Sequence, residues 1–145
     1  MQDLDFSGKT VLVTGGGAGI GRAIAEAFAA RGAALVVAEI DQQRCSELEA
    51  ALAEQGIDAL VSCTDVCDSA AVNALMQQVQ ERFGGLDVLV NNVGDFLGII
   101  KPFAACTDED LERLYAVNLR HIFTVTRAAI PLLQARGKGG SIISI

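Results

Sequence analysis

The sequence predicts a doubly wound α/β fold, in which helices cover both faces of a parallel sheet. Short apolar runs alternate with segments whose apolar residues recur at the spacing of an amphipathic helix. The runs are apolar throughout, which is typical of strands buried on both faces. The first run also passes directly into a glycine-rich turn and a helix. Repeated β-α units of this kind build one sheet with crossover helices.

The first half of the chain contains three predicted strands and two helices. The apolar runs define the strands, and glycines at positions 32 and 56 lie where helix C-caps are expected. The predicted elements are strand Val11–Thr14, helix Arg22–Arg31, strand Ala34–Ala38, helix Asp41–Gln55 and strand Ala59–Thr64.

The next segment is predicted to be a third helix followed by a fourth strand. Asp68 is a suitable N-cap for the helix, which ends at Gly84 and Gly85. The strand Leu86–Val90 follows, and residues 91–106 form a long loop with scattered glycines.

A long helix and a last strand complete the prediction. Thr107 and Asp110 form a capping-box pattern, with Asp in place of the usual Glu or Gln. The helix is expected to run from Thr107 to Arg136 with a kink at Pro131, and the strand Ser141–Ile145 follows it. The predicted buried stripe of this helix is Leu111, Leu114, Tyr115, Leu119, Ile122 and Phe123.

Right-handed crossovers between such strands give the order 3-2-1-4-5, a Rossmann-like arrangement of three α/β/α layers. Residues 1–145 are interpreted as one domain of this kind, incomplete at its C-terminus because the sheet stops after strand five. The order reverses between strands one and four. A ligand crevice is therefore expected at the carboxyl ends of these two strands.

Composition narrows the class of protein. Hydrophobic residues make up 51% and charged residues 20%, which indicates a globular domain, and the net charge of -7 argues against nucleic acid as a partner. Long apolar stretches and a signal-peptide pattern are both lacking, so we expect no membrane partner and a cytoplasmic location. Four cysteines without C-x-x-C spacing favour reduced thiols and no metal site.

The loop after the first strand has the composition of a phosphate-binding turn. Its backbone N–H groups and the positive end of the following helix dipole converge on one spot, which suits the pyrophosphate of a dinucleotide. A simple tight turn does not need five glycines. The residues predicted to bind the cofactor here are Gly15, Gly17, Gly19, Ile20 and Gly21.

The spacing of this loop resembles the T-G-x-x-x-G-x-G motif of the short-chain dehydrogenase/reductase family. Three further features follow in the order that the family shows, and the resemblance covers the whole chain as the N-terminal part of a family domain. Valine stands in the third motif where the family usually has alanine. The matching features are Thr14-Gly15-x-x-x-Gly19-x-Gly21, Asp65-Val66, Asn91-Asn92-Val93-Gly94 and Asn118.

The resemblance implies a nicotinamide cofactor and assigns roles along its binding site. Gly15 would permit the tight turn, Gly19 would let the backbone approach the pyrophosphate, and Gly21 would allow the helix to pack closely on the strand. Ile20 would contribute a backbone N–H to phosphate.

Glu39 at the end of the second strand favours NAD over NADP. An acidic group there can accept hydrogen bonds from the adenosine ribose and repel a 2′-phosphate. Ala18 occupies a position where NADP-preferring relatives tend to carry a basic residue. Two alternatives stay open: Glu39 as a solvated charge, and Asp41 as the acidic group.

The other motifs are assigned to the two ends of the dinucleotide. By resemblance, Asp65 would bind the adenine amino group and Val66 would pack on the ring, although Asp65 could also be a plain carboxylate before a helix. Asn91 would tie the central strands together. Asn92 belongs to the same cofactor-binding motif, and Gly94 would leave room for the ribose next to the nicotinamide.

Asn118 is the predicted catalytic residue. In the family this asparagine supports a water that feeds a proton relay, while the alternative is a buried amide satisfied by helix packing. His121 is expected to have a packing or surface role. Tyr115 is expected to lie in the core, because no lysine follows it at the Y-x-x-x-K spacing of the family.

The family's serine, tyrosine and lysine would follow Ile145, and Ser144 is not expected to replace them. The complete protein is expected to be an NAD(P)-dependent oxidoreductase that acts on a small-molecule alcohol or carbonyl substrate as a homo-oligomer. The 145-residue chain alone is expected to be inactive and marginally stable. Two alternatives stay open: a stand-alone dinucleotide-binding or sensor module, and a Rossmann-type methyltransferase, which the Asn91–Gly94 loop disfavours.

Overall fold

A computed structural model gives the fold of this chain and describes residues 4–145. Five strands form one parallel sheet in the order β3-β2-β1-β4-β5, which confirms the predicted topology. The strands are β1 Thr10–Thr14, β2 Ala34–Glu39, β3 Ala59–Cys63, β4 Val88–Asn91 and β5 Ser141–Ser144.

Helices connect the strands. Two begin at predicted caps: the Asp41 side chain accepts from the N–H of Arg44, and the Asp68 side chain accepts from two N–H groups of the first turn. Thr107 and Asp110 form the predicted capping box. The helices are α1 Gly19–Ala29, α2 Gln42–Glu54, α3 Ser69–Phe83, α4 Asp108–Tyr115 and α5 His121–Ala135, with a 3₁₀ turn at Phe103–Ala105.

The apolar residues of the sheet pack into two hydrophobic cores, one on each face of the sheet. On one face, α1 and α2 cover a cluster that includes Val13, Val37 and Leu48. On the other face, α3 and α5 cover a cluster that includes Leu12 and Leu89. The three central strands are buried on both faces, whereas β5 is exposed along its length. Both cores stop at the sheet edge where the strands end, and the candidate site begins there.

Several element boundaries differ from the prediction. Helix α1 begins at Gly19 rather than Arg22 and ends at Ala29, because the glycine loop itself supplies the first helical turn. Strand β4 begins at Val88 rather than Leu86 and includes Asn91. Gly19, the first residue of α1, consequently lies at the crevice.

The predicted long helix is interrupted. A π turn at Ala116–Arg120 separates α4 from α5, whereas Pro131 lies inside α5 without ending it. A π turn accommodates an additional residue and therefore changes which side chains face the sheet. The residues of this region that are buried are His121, Val125, Ala129, Leu132 and Leu133.

The predicted buried stripe is consequently wrong in part. Tyr115 is not a core residue, since 46% of it is exposed, and Leu119 and Phe123 are exposed as well. Tyr115 and Phe123 lie on an outer face of α4 and α5 that also carries Ile130, Arg120 and Arg127.

A buried carboxylate fixes the opposite end of the sheet. Asp87 accepts a 2.9 Å hydrogen bond from the backbone N–H of Thr10, and its carboxylate lies 3.2 Å from Lys9 Nζ and 3.4 Å from Arg136 Nε. Arg136 also donates to Thr10 Oγ1 at 2.8 Å. This network joins the start of β1, the start of β4 and the end of α5. It thereby sets the register that carries through to the crevice.

Candidate functional site

A cleft of about 430 Å³ opens at the carboxyl ends of β1, β2 and β4, where the strand order reverses. Its volume lies within the range of small-molecule and cofactor sites. The sequence motifs from four separate stretches of the chain meet here. The lining residues are Gly15, Ala18, Gly19, Ala38, Glu39, Ile40, Arg44, Thr64, Asp65, Val66, Cys67, Asn92, Val93, Gly94, Asp95, Leu97 and Val117.

The floor of the cleft is a set of hydrogen bonds between Thr14 and Asn92. The N–H of Asn92 donates to Thr14 Oγ1 at 3.0 Å, and its side-chain Nδ2 donates to the carbonyls of Thr14 at 3.2 Å and Gly15 at 3.3 Å. Asn91 instead donates to Thr126 and Ser144. The expected tie between the central strands therefore falls on Asn92, and Asn91 joins β4 to α5 and β5.

The glycine loop wraps tightly around the end of β1. Gly15 has a φ of +64°, which a side chain rarely adopts. A Cβ at Gly21 would lie 2.2 Å from the carbonyl oxygen of Gly15 and 2.4 Å from Asn92 Nδ2. Only glycine therefore lets α1 approach the strand end and the Asn92 amide this closely.

Gly19 differs from the other loop glycines because its surroundings are open. Its φ is +55°, and an added Cβ would meet no described atom within 4 Å. Helix α1 starts here, and no side chain of residues 4–145 caps its N-terminus. The first N–H groups of the helix therefore lie beside an open cleft, an arrangement that is favourable for a phosphate group.

Glu39 is almost fully buried, although it is charged. Its carboxylate accepts hydrogen bonds from the N–H of Gly17 at 3.0 Å and from the N–H of Asp41 at 3.1 Å. Arg44 Nη1 lies 3.9 Å away and provides the nearest positive charge. Glu39 is therefore not a solvated charge, and Asp41 serves as the cap of α2.

The residues that follow β3 form one wall of the cleft. Val66 is buried in the core that α3 covers, and Asp65 Oδ1 accepts from the N–H of Cys67 at 2.8 Å. The N–H of Thr64 donates to the carbonyl of Glu39 at 2.9 Å, so the ends of β2 and β3 are joined. The wall presents one exposed carboxylate and one apolar side chain side by side.

Asn118 clamps the loop that follows β4. Its Oδ1 accepts from the N–H of Asp95 at 3.0 Å, and its Nδ2 donates to the carbonyls of Asp95 at 2.7 Å and Leu114 at 2.9 Å. A Cβ at Gly94 would lie 3.1 Å from Asn118 Oδ1. Asn118 is exposed, not buried as predicted, and its amide is committed to the backbone.

His121 contacts the loop that follows β4 through the backbone of Val93. It is buried, and its Nε2 lies 2.9 Å from the carbonyl oxygen of Val93. Nε2 must carry the proton in this contact because a carbonyl only accepts, and Nδ1 has no hydrogen-bond partner among the described residues. Burial lowers the pKa of His121 below its ordinary value. The ring is therefore a packing residue, as predicted.

The structure brings most of the predicted cofactor residues together. Gly15, Gly19, Glu39, Asp65, Val66, Asn92 and Gly94 line the cleft. The predicted residues that do not line it are Gly17, Ile20, Gly21 and Asn118. Gly17 donates a hydrogen bond to Glu39, and Gly21 leaves space for the Asn92 amide. Ile20 exposes its side chain at the start of α1, and Asn118 accepts from the N–H of Asp95.

Arg44 and Leu97 are among the lining residues that the sequence prediction did not identify. Arg44 follows its cap by one helical turn, and a charge at that place is ordinarily a solvated side chain. Leu97 has a φ of +56°, uncommon for a residue with a side chain, and its N–H donates to Asp95 Oδ1 at 2.7 Å. Only the three-dimensional loop path brings it to the cleft.

The residues present fit a dinucleotide. The open side of Gly19 leaves room for a pyrophosphate, Glu39 offers carboxylate lone pairs to ribose hydroxyls, and Val66 offers an apolar surface beside the Asp65 carboxylate. Among the described residues, no group of three or more His, Cys, Asp or Glu side chains is arranged to hold a metal ion. No helix in this part of the chain is long and apolar enough to cross a membrane.

A sequence profile of the short chain dehydrogenase family matches residues 9–145. Galactitol 2-dehydrogenase of Agrobacterium fabrum is 37% identical over 97% of this chain and 53% of its own length. An uncharacterized oxidoreductase of Thermotoga maritima is 41% identical over 97% of this chain and 54% of its own length. The chain spans about half the length of the curated relatives it matches.

Solved structures give the same result. A 7α-hydroxysteroid dehydrogenase complexed with NADH and 7-oxo glycochenodeoxycholic acid superposes with a TM-score of 0.88 and 31% identity, over 97% of this chain and 54% of that one. A short chain dehydrogenase from Burkholderia cenocepacia in complex with NADP superposes with a TM-score of 0.86 and 36% identity, over 97% and 56% respectively.

Proposed function

Because this chain belongs to the short-chain dehydrogenase family, we propose that it forms the nicotinamide dinucleotide-binding part of an oxidoreductase. The proposed reaction transfers a hydride between the nicotinamide and a small-molecule alcohol or carbonyl substrate. The observation that carries the proposal is the cleft itself. An open glycine at an uncapped helix N-terminus lies beside a buried carboxylate at the end of β2.

The proposed division of labour follows the walls of the cleft. The N–H groups at the start of α1 would hold the pyrophosphate, with Gly19 leaving the space that it needs. Glu39 would accept the adenosine ribose hydroxyls, while Asp65 and Val66 would hold the adenine. Gly94 borders the end where the second ribose would lie. The bound dinucleotide supplies the hydride acceptor or donor.

Asn118 would serve this site as a positioning residue. All polar atoms of its amide are engaged with the backbone of Asp95 and Leu114, so its side chain has no group left to move a proton. Its contribution would be to hold the Gly94–Asp95 loop next to the π turn. The proton relay that the family resemblance implies would then use water bound elsewhere on this helix.

We propose NAD rather than NADP as the preferred cofactor. The Glu39 carboxylate would oppose a 2′-phosphate, and Ala18 supplies no positive charge. Arg44 is the feature that argues for NADP, because its guanidinium lies at the same corner of the cleft. The positive charge of Arg44 would have to outweigh the negative charge of Glu39, which is the more deeply buried of the two side chains. We therefore propose NAD.

Three further proposals concern the complete protein. It would act in the cytoplasm, with its cysteines reduced, and without nucleic acid or membrane partners. It would form a homo-oligomer, since the large side chains of Tyr115, Phe123 and Ile130 are exposed together on one face of α4 and α5. The alternative of a module without turnover stays open.

Calorimetric titration of the purified protein with NAD⁺ and NADP⁺ tests the binding proposal. Binding of NAD⁺ with the higher affinity is expected, and equal affinities would contradict the preference. Failure to bind either dinucleotide would refute the site. NADH formation by the complete protein with a panel of alcohols separates an oxidoreductase from a binding module.

A further inference from the structure

Two cysteines from different elements meet at the corner of the cleft where β2 ends. Cys45 lies in the first turn of α2 and is buried, whereas Cys63 is the last residue of β3 and is exposed. Both are free thiols. The proposed dinucleotide site uses neither of them.

The pattern of each element turns the two side chains toward one another. Along β3, Ala59 and Val61 pack against the core that α2 covers, and residues two apart in a strand share a face, so Cys63 continues this row. On α2, Leu48 and Leu52 belong to that same core, and Cys45 lies one turn before Leu48 on the same stripe.

Hydrogen bonds locate the two sulfur atoms more closely. Cys45 Sγ donates to the carbonyl of Glu39 at 3.5 Å, and Cys63 Sγ donates to the carbonyl of Ile40 at 3.4 Å. The two acceptors belong to consecutive residues, and Glu39 pairs with Cys63 in the β2–β3 register. The two thiols therefore lie next to the same piece of backbone, the consecutive carbonyls of Glu39 and Ile40.

The ionisation of Cys45 agrees with this arrangement. Burial raises the pKa of the Cys45 thiol to about 11, and the neighbouring Cys63 thiol adds to the rise. Cys45 is consequently protonated in the reduced protein and is the less reactive thiol of the pair. Cys63 is the thiol that a dissolved reagent can reach.

We propose that Cys45 and Cys63 form a redox modification site, which a low-molecular-weight disulfide such as glutathione disulfide converts into an intramolecular disulfide. The regulatory part of this inference rests on the proposed dinucleotide function, because the pair flanks Glu39 at the adenosine end of the cleft.

The chemistry proceeds by two thiol–disulfide exchanges. The Cys63 thiolate attacks one sulfur of glutathione disulfide, forming a mixed disulfide and releasing one glutathione thiolate. Cys45 then gives its proton to the glutathione thiolate released in the first exchange, and the resulting Cys45 thiolate attacks Cys63 Sγ and displaces the second glutathione thiolate. Two protein thiols are oxidised and one glutathione disulfide is reduced to two glutathione molecules, which take up the two protons.

Closing the disulfide changes the backbone that carries Glu39. Both S–H donors are lost, so the carbonyls of Glu39 and Ile40 lose these partners. The bond also joins the start of α2 to the end of β3, directly before Thr64 and Asp65. We expect the oxidised protein to bind NAD⁺ about fivefold more weakly than the reduced protein, the effect of about one hydrogen bond.

The test exposes the purified protein to glutathione disulfide and follows it by intact mass. A decrease of about 2 Da, with a peptide map that joins Cys45 to Cys63, is the expected result. Cys45→Ser should stop at a glutathione adduct on Cys63, and Cys63→Ser should not react at this corner. Cys106→Ser is the matched control, since Cys106 Sγ contacts the Pro102 carbonyl and not the Glu39–Ile40 backbone, and it should still lose about 2 Da.

Other outcomes overturn the inference. A stable glutathione adduct on Cys63 in the unaltered protein, or a disulfide that involves Cys67 or Cys106, would refute the pair. A Cys45–Cys63 disulfide that leaves the affinity for NAD⁺ unchanged would refute the regulation. Reduced protein that binds no dinucleotide would instead refute the proposed function, and the mass measurement would still report on the pair.

Discussion

Gly17 and Glu39 fit against each other so closely that a side chain at position 17 would displace the Glu39 carboxylate. The N–H of Gly17 donates to Glu39 Oε2 at 3.0 Å, and a Cβ at position 17 would lie 2.5 Å from the same oxygen. The glycine loop thus orients the carboxylate proposed to select the cofactor. The proposed phosphate-binding turn and the proposed ribose-binding residue therefore form one structural unit.

Gly17→Ala should therefore damage cofactor selection as well as stability. The added methyl group displaces the Glu39 carboxylate, and overpacking of this kind costs about 1–3 kcal/mol of unfolding free energy. Calorimetry should show weaker NAD⁺ binding with a smaller preference over NADP⁺. An alanine variant with unchanged affinity for both cofactors would contradict the coupling.

Glu39→Ala should reduce the preference for NAD⁺ directly. Removing the carboxylate that we propose accepts the ribose hydroxyls is expected to weaken NAD⁺ binding by about tenfold and to leave NADP⁺ binding less affected. Adding Ile40→Arg to this variant places a cation beside the ribose and should shift the preference further toward NADP⁺. Titration of the parent, the single variant and the double variant tests both steps. A parent that binds the two cofactors equally would refute the premise.

Gly19→Ala should abolish or strongly weaken dinucleotide binding while the fold persists. The Cβ would project into the open cleft, and the positive φ adds a backbone cost of about 1–2 kcal/mol. Gly8→Ala is the matched control, because Gly8 also has a positive φ, at +74°, and open surroundings, but lies away from the cleft. Both variants should lose similar stability, and only Gly19→Ala should lose binding. Equal binding by the two variants would mean that the loop does not hold phosphate.

His121 should make the protein less stable in mild acid. Burial lowers its pKa below the ordinary value of 6.5, so between the two values the unfolded chain binds a proton that the folded chain does not. The free energy of unfolding therefore falls as the pH decreases through this interval and is unaffected by this group above it.

His121→Gln is the variant that tests this dependence. Its amide can still donate to the Val93 carbonyl, but it does not titrate. Thermal unfolding between about pH 7.5 and about pH 5 should show a smaller loss of melting temperature for the variant than for the parent. Parallel curves for the two proteins would show that the buried ring does not control the acid response.

The order of strands and the location of the cleft could be predicted from the sequence because both depend on local patterns. Apolar runs and glycine stops define the β-α units, and crossover handedness then fixes the strand order. The glycine spacing and the polar residues after β2, β3 and β4 all fall at one sheet edge for the same reason. Glu39, Asp65 and Asn92 needed no three-dimensional information to be found.

The remaining features depend on contacts between distant residues. The π turn at Ala116–Arg120 shifts the phase of the helix, so a stripe counted at regular helical spacing wrongly buries Tyr115 and misses Val125. Adjacent asparagines look equivalent in the sequence, yet only Asn92 reaches the end of β1. The commitment of the Asn118 amide to Asp95 likewise depends on the path of the loop.

The hydrogen bonds between Thr14 and Asn92 also bear on how the chain folds. These partners lie 78 residues apart in the sequence, and no hairpin can bring parallel neighbours together early. Contacts of such long range slow folding, because the chain loses the entropy of closing a large loop before these contacts can stabilise it. On the ribosome, the glycine loop emerges well before the strand that completes its floor. Recognition of a nucleotide therefore has to wait until the fourth strand has been synthesised and has joined the sheet.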